Sequence, residues 1–296
     1  MNDRSNHDPP AKPSPPATEA QRPGALRRYT LPSLAVAGGM IALERLRSGY
    51  QARRMFAPAD LDPGTEPRSI GLPAEDQWLT SEDGVRLNGW WIPHPRPRAT
   101  LLFCHGNTGN LGTYLAVFRY LRRLRVSIFG FDYRGYGHSE GRPSEQGLYR
   151  DARAAWNHLT GTLGVDPETI AVFGHSLGGA VGIELAGQRP VPALVIQSSF
   201  TDIRTMARER FSPAHLIARN SFRSIDKVGA LTMPKLFIHG EEDERIPISI
   251  GHALFRAAAE PKAWYSVKGA HHNDLHRLGR QAYLRTLRRF LSRALH

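Results

Sequence analysis

A chain of 296 residues with 41% apolar side chains and five tryptophans holds enough material for one large buried core, which excludes a wholly unstructured protein. Its single cysteine, Cys104, excludes an internal disulfide framework and any zinc site built from several thiolates. The formal charge of +12 is carried mostly by arginine and reads first as solvated surface side chains, with an anionic surface as the second reading; no helix-turn-helix, zinc or RNP-type pattern accompanies it, so nucleic acid is not expected as a partner.

Residues 1–30 are rich in proline, alanine and polar side chains and read as a disordered tail. Residues 31–55 form an apolar and basic segment. Its run from Leu31 to Leu43 stops at Glu44-Arg45, short of the roughly 20 apolar residues a membrane span needs. An amphipathic or interfacial helix fits better than a span in a cytoplasmic protein; two readings stay open, a helix lying at the membrane periphery with an anionic membrane surface as partner, and a helix packed on the folded domain.

From residue 56 onward the pattern becomes globular, although the stretch from Met55 to about Glu75 is proline-rich and reads as irregular. Gln77–Thr80 and Val85–Ile92 are alternating runs joined by Ser81-Glu82-Asp83-Gly84, a hairpin signal. Ala99–Cys104 is apolar enough for a central strand and runs into His105-Gly106-Asn107. Leu115, Phe118 and Leu121 give Leu111–Leu124 helical spacing, and Val126–Phe131 is another strand. Ser144 is the expected N-cap of a helix carrying Leu148, Ala152, Ala155, Trp156 and Leu159. Strands follow at Ala193–Gln197, Lys235–His239 and Ala263–Val267. Tyr283, Leu287, Phe290, Leu291 and Ala294 then share one face of a last helix. Strands alternating with helices predict a mostly parallel sheet covered on both faces, with its sites at the carboxyl ends of strands.

The informative stretch lies between these elements, at Thr169–Gly187. A short apolar strand runs into Gly174-His-Ser-Leu-Gly-Gly179, and a small-residue helix follows. The motif G-x-S-x-G in that context predicts a sharp turn that exposes Ser176 at a helix N-terminus. A serine hydroxyl needs a base, and the base needs an orienting acid, in the chain order Ser, Asp or Glu, His. Glu241, Glu242, Asp243 and Glu244 follow one later strand, and His271 and His272 follow the next. Pattern alone leaves the four acids open. The oxyanion of an acyl transfer would be met by backbone N–H groups, that of Leu177 and that of Asn107 beside Gly106. His105 reads as a loop residue bonding locally, and Cys104 as the core end of its strand.

The stretches Cys104–Asn110, Asp132–Ser139, Pro143–Glu145, Gly174–Gly179, Ile238–Pro247 and His272–Asp274 together resemble the α/β-hydrolase superfamily. The particular likeness is to the branch of protein-depalmitoylating hydrolases and their small bacterial relatives. The resemblance implies an α/β-hydrolase fold over residues 56–296 with a small cap at about 200–231. It implies a serine hydrolase acting on carboxylic esters or thioesters through an acyl-enzyme, with no cofactor and no metal. It also implies Ser176 as nucleophile, Asp243 as acid and His272 as base. The chain departs from that branch at His271, where glycine is usual, and in its short N-terminal anchor. Phe200, Met206, Phe211, Leu216, Ile217 and Phe222 are candidates either to wall a pocket for a small or lipid-like acyl substrate or to pack the cap onto the sheet. Two rival readings are a serine peptidase of the aminopeptidase-like α/β-hydrolases and a non-catalytic basic protein that docks on membranes.

Overall fold

The computed structural model describes residues 56–62, 65–209 and 221–295. The expected tail and apolar-basic segment lie outside the described residues, as do Phe211, Leu216 and Ile217.

Five strands that read as continuous apolar runs are buried along their whole length: β4 (Ala99–Cys104), β6 (Val126–Phe131), β7 (Ile170–His175), β8 (Ala193–Gln197) and β9 (Lys235–Gly240). Such strands need cover on both faces, and they receive it. The hairpin strands β2 (Glu75–Thr80) and β3 (Arg86–Ile92) and the late strand β10 (Lys262–Val267) complete an eight-stranded sheet in the order β10-β9-β8-β7-β4-β6-β3-β2. Pairing is parallel from β10 through β6, while β3 is antiparallel to both β6 and β2. The expected mostly parallel sheet with an antiparallel edge is thus the observed one.

Alternate residues of the central strands feed two cores. Leu102, Val172 and Leu194 meet helix α2 (Glu145–Asn157) and helix α3 (Leu177–Ala186) on one face. Phe103, Phe173 and Val195 meet α1 (Leu115–Leu121) and the C-terminal α6 (Leu275–Ala294) on the other. Each fully buried side chain of this size contributes roughly 1.5–3 kcal/mol. Ser144 caps α2 as its position suggested, accepting the Gly147 N–H at 3.1 Å.

Three details differ from the sequence expectation. The helix expected over Leu111–Leu124 is a 3-10 turn (Leu111–Tyr114), α1, and a second 3-10 turn (Arg122–Leu124), because the Asn110 side chain captures the Gly112 N–H and tightens the entry. The last helix breaks at Arg280 (φ 42°, ψ −127°). The stretch after Phe56, expected to be irregular, holds a strand β1 of two residues (Ala57–Pro58) pairing with β5 (Thr108–Gly109). Just beyond it, the Ala59 carbonyl accepts the Gly137 N–H at 3.1 Å and the Asn110 side-chain amide at 3.2 Å. This strap ties the loop after β4 to the loop after β6. Arg134, on the second of these loops, reaches Asp151 at 2.8 Å and Asp83 at 2.7 Å and so fixes that loop to the hairpin turn. No helix among the described residues is long and apolar enough to cross a membrane.

Candidate active site

Strand β7 ends at His175, and α3 begins at Leu177. The chain makes the turn at Ser176, with φ 55° and ψ −116°. A positive φ costs a serine roughly 1–3 kcal/mol, so the surroundings must hold it. They do so through the backbone. The Ser176 N–H donates to the Gln197 carbonyl at 2.8 Å, and its own carbonyl accepts Gly179 N–H and Ser199 Oγ, each at 2.9 Å. Glycine is required on either side, since a methyl group at Gly174 would overlap the Gly178 carbonyl and one at Gly178 the Cys104 carbonyl. The Ser176 side chain makes no capping bond to α3, although it stands at the positive end of the helix. Its hydroxyl is therefore not used up by the turn.

The acid and histidine loops are stitched together by Glu241 N–H to the Val267 carbonyl (3.1 Å) and Glu242 N–H to the Ala270 carbonyl (3.0 Å). This brings His272 Nδ1 to 3.0 and 2.8 Å from the two carboxylate oxygens of Asp243. Both residues are buried, whereas Glu241, Glu242, Glu244 and His271 are exposed. His271 donates Nδ1–H to the Glu242 carbonyl at 2.9 Å, and its ring stays at the surface. Of the four acids in the loop, Asp243 is the one that meets the buried imidazole. Burial works to raise its pKa, but the His272 hydrogen bond and charge and the Ile246 N–H outweigh it and hold the carboxyl below its ordinary value. The stability it adds is present above its unfolded pKa and is lost as pH falls through the lower folded one. With Nδ1–H pointed at Asp243, Nε2 of His272 carries the lone pair a base needs.

The loop after β4 passes beside the serine, since a methyl group on Gly106 would lie 3.4 Å from Ser176 Cβ. His105 Nδ1–H donates to the Gly106 carbonyl at 2.7 Å, the local bonding expected of it. Because the peptide is trans, the Asn107 N–H points away from the His105 ring. The Asn107 carbonyl is in turn held by Tyr136 Oη–H at 3.0 Å and Ala57 N–H at 3.4 Å. Leu177 supplies the first N–H of α3, which has no acceptor within its own helix. The two expected donors thus belong to elements fixed around Ser176.

Tyr114 and His175 link these pieces, and sequence reasoning missed both. Gly106 N–H donates to Tyr114 Oη (2.9 Å), Tyr114 Oη–H to His175 Nδ1 (3.2 Å), and His175 Nε2–H to the His272 carbonyl (3.2 Å). Burial lowers the His175 pKa to about 3, so the ring is neutral and can donate from one nitrogen while accepting on the other. One directed chain of hydrogen bonds therefore runs from the loop after β4 to the histidine loop, through the residue that precedes Ser176. The only sequence signal was a histidine at the variable position of G-x-S-x-G. We expect Tyr114→Phe to strand the buried Gly106 N–H and to lower stability by about 1–3 kcal/mol, read as a lower urea midpoint. Its kcat for a small ester should fall with little change in KM, but by less than the hundredfold or more that deletion of an oxyanion donor costs.

The cap aromatics turn inward. Phe200 and Phe222 are fully buried, and Phe222 packs edge-on against Phe56 (6.2 Å) and Tyr149 (5.7 Å), so they join the core instead of walling a pocket. Met206, on helix α4 (Ile203–Glu209), is half-buried. Cys104 is buried, and desolvation pushes its thiol up to about 12, which leaves it inert. No cluster of three or more metal-binding side chains occurs among the described residues.

Comparison with known proteins adds relatives to this geometry. The family model for serine aminopeptidases of group S33 matches residues 95–225. An uncharacterized protein of Mycobacterium tuberculosis, Rv2307c, is 38% identical over 246 residues, covering 82% of this chain and 88% of the relative. The α/β-hydrolase domain-containing protein WAV2 of Arabidopsis thaliana is 35% identical, covering 86% of this chain and 92% of its own. The human α/β-hydrolase domain-containing protein 17B is 37% identical over 202 residues, covering 68% and 69% respectively. Among solved structures, the Pyrococcus furiosus esterase Pf2001 superposes with a TM-score of 0.69 over 81% of this chain and all of its own, at 19% identity.

Proposed function

The chain belongs to the α/β-hydrolase family, and on that premise we propose a serine hydrolase that cleaves carboxylic ester or thioester bonds through an acyl-enzyme on Ser176. The observation that carries this reading is a serine held at φ 55° with its hydroxyl not engaged in capping α3, while the His175 ring next to it in the chain bonds the carbonyl of a buried His272 that is itself bonded to Asp243. In the first half-reaction Ser176 Oγ attacks the acyl carbonyl while His272 Nε2 takes its proton. The oxyanion rests on the N–H groups of Asn107 and Leu177, and His272 then returns the proton to the departing alcohol or thiol. In the second half, water deprotonated by His272 attacks the ester on Ser176, releasing the carboxylic acid and the free serine. Asp243 keeps the tautomer and stabilises the imidazolium. No step calls for a cofactor or metal.

The substrate side of the proposal is a small-molecule or lipid-like acyl group. The resemblance to protein-depalmitoylating hydrolases supports a long-chain thioester among the candidates. The family model's aminopeptidase description supports a peptidase as the second reading. A peptidase of that kind needs carboxylates to hold the substrate ammonium. Among the described cap residues, Asp202 is engaged with the Thr205 N–H at 2.8 Å and Asp226 with Arg223, which leaves Glu209 exposed. The deciding experiment is a panel of esters and thioesters of increasing acyl length run beside aminoacyl anilides, with fluorophosphonate labelling. We expect labelling at Ser176 and turnover of esters and thioesters. Faster cleavage of anilides would favour the peptidase, and no labelling with no turnover would leave the non-catalytic docking protein.

A further inference from the structure

The charge of this chain is distributed very unevenly. Residues 93–131 and 275–296 hold six arginines each, no lysine and no carboxylate. These two stretches therefore account for the whole formal excess of +12, and the remainder of the chain is balanced. The fold brings them together, because α1 with its following 3-10 turn packs against α6, where the Tyr120 ring lies 5.6 Å from that of His276 and 6.4 Å from that of Tyr283. Arg288 Nη2 donates to the Arg123 carbonyl (3.5 Å), and the Arg98 N–H donates to the Arg125 carbonyl (2.8 Å). Arg98 and Arg288 line one shallow cleft with Leu291 and Ser292. Arg123, Arg125, Arg288, Arg289 and Arg293 are all exposed. Of the twelve arginines, Arg277 has an ion pair among the described residues, with Asp274 at the distant start of α6. The others have no ion pair with a carboxylate among the described residues.

We propose that this arginine face is a docking surface for an anionic phospholipid membrane. Guanidinium groups match phosphodiester oxygens in pairs, and basic residues near an anionic leaflet contribute about 1 kcal/mol each. The surface suits lipid headgroups better than nucleic acid. The large apolar side chains exposed among the described residues are Trp78, on the opposite edge of the sheet, and Leu278, before the break in α6; Tyr120 is half-buried with the Arg123 guanidinium over its ring, so the face offers no exposed aromatic on which bases would stack. For the same reason it has no apolar wedge, and contact is by adsorption, reversible and sensitive to salt. The face also has a definite position. It lies at the amino ends of β4 and β6, whereas Ser176, Asp243 and His272 follow the carboxyl ends of β7, β9 and β10. One strand of six residues is about 20 Å long, so docking would leave the Ser176 side of the sheet turned toward the aqueous phase.

The test uses the full chain and does not depend on the chemistry at Ser176. Co-sedimentation is measured with phosphatidylglycerol vesicles and with phosphatidylcholine vesicles, at low and high salt. The patch variant is Arg123→Gln, Arg288→Gln, Arg289→Gln. A control variant of the same net charge is Arg68→Gln, Arg142→Gln, Arg256→Gln, all exposed on other parts of the molecule. We expect the wild type to partition onto anionic vesicles alone and to be released by salt. The patch variant should lose roughly a hundredfold in partition coefficient, while the control stays near wild type. Equal loss in both variants would overturn the proposal. So would undiminished binding by the patch variant, which would assign the contact to residues 31–55, or tighter binding to duplex DNA than to vesicles at equal phosphate.

Discussion

Ser176→Ala should lose ester and thioester hydrolysis by roughly a millionfold in kcat, while its thermal unfolding stays close to that of the wild type. The size of the loss follows from the role: without Oγ no acyl-enzyme forms, and only binding and the oxyanion donors remain to accelerate attack by water. The preserved fold follows from the bonding. The bonds that hold residue 176 in its left-handed conformation are all made by its own backbone, to the Gln197 carbonyl, the Gly179 N–H and the Ser199 hydroxyl, and alanine keeps all of them. Steady-state kinetics with a soluble ester, circular dichroism and fluorophosphonate labelling check the three parts together. Full turnover in a folded Ser176→Ala protein would move the chemistry to another residue.

The adjacent histidines give the second large contrast. His272→Ala should cost at least about a thousandfold in turnover, because it removes the base proposed to accept the Ser176 proton. His271→Ala should leave turnover near that of the wild type, since its ring lies at the surface and bonds to the Glu242 carbonyl. Asp243→Asn belongs with the first. An asparagine amide can donate to Nδ1, which places the proton of the neutral imidazole on Nε2, where Ser176 needs an acceptor; a loss of about ten-thousandfold is expected. Single-substrate kinetics on the three purified variants decides the matter. A larger loss in His271→Ala than in His272→Ala would reverse the assignment.

Much of this arrangement was legible in the sequence, for identifiable reasons. Central strands such as Ile170–His175 stand out because burial on both faces demands an unbroken apolar run, and the Asp83-Gly84 pair marked the hairpin. The choice of Asp243 was not legible from charge, which is the same for all four neighbours, and needed the family resemblance. In the structure what separates it is burial, together with the Arg245 and Ile246 N–H groups directed at one of its oxygens. Strand β1 could not be read at all, because two residues carry no periodicity and their partners lie 51 positions away. Tyr114 was hidden differently. It sits among apolar residues, and its hydroxyl acquires meaning only when Gly106 and His175 arrive from distant positions in the chain.

The strand order has a consequence for biosynthesis. Once β4 and β6 have paired on the hairpin, every later strand adds to the same growing edge in the order in which the ribosome delivers it, β7 on β4, then β8, β9 and β10. Assembly can therefore follow translation without rearrangement. The strands waiting at that edge are a hazard, because all six residues of β9 are buried in the finished protein, while β10 is partly exposed along most of its length and begins with lysine. Of the strands added at that edge, only the last is built to stay exposed. A nascent chain ending between Gly240 and Lys262 presents an open apolar strand with unpaired amides, and over that interval it is a natural client for a chaperone that shields sheet edges.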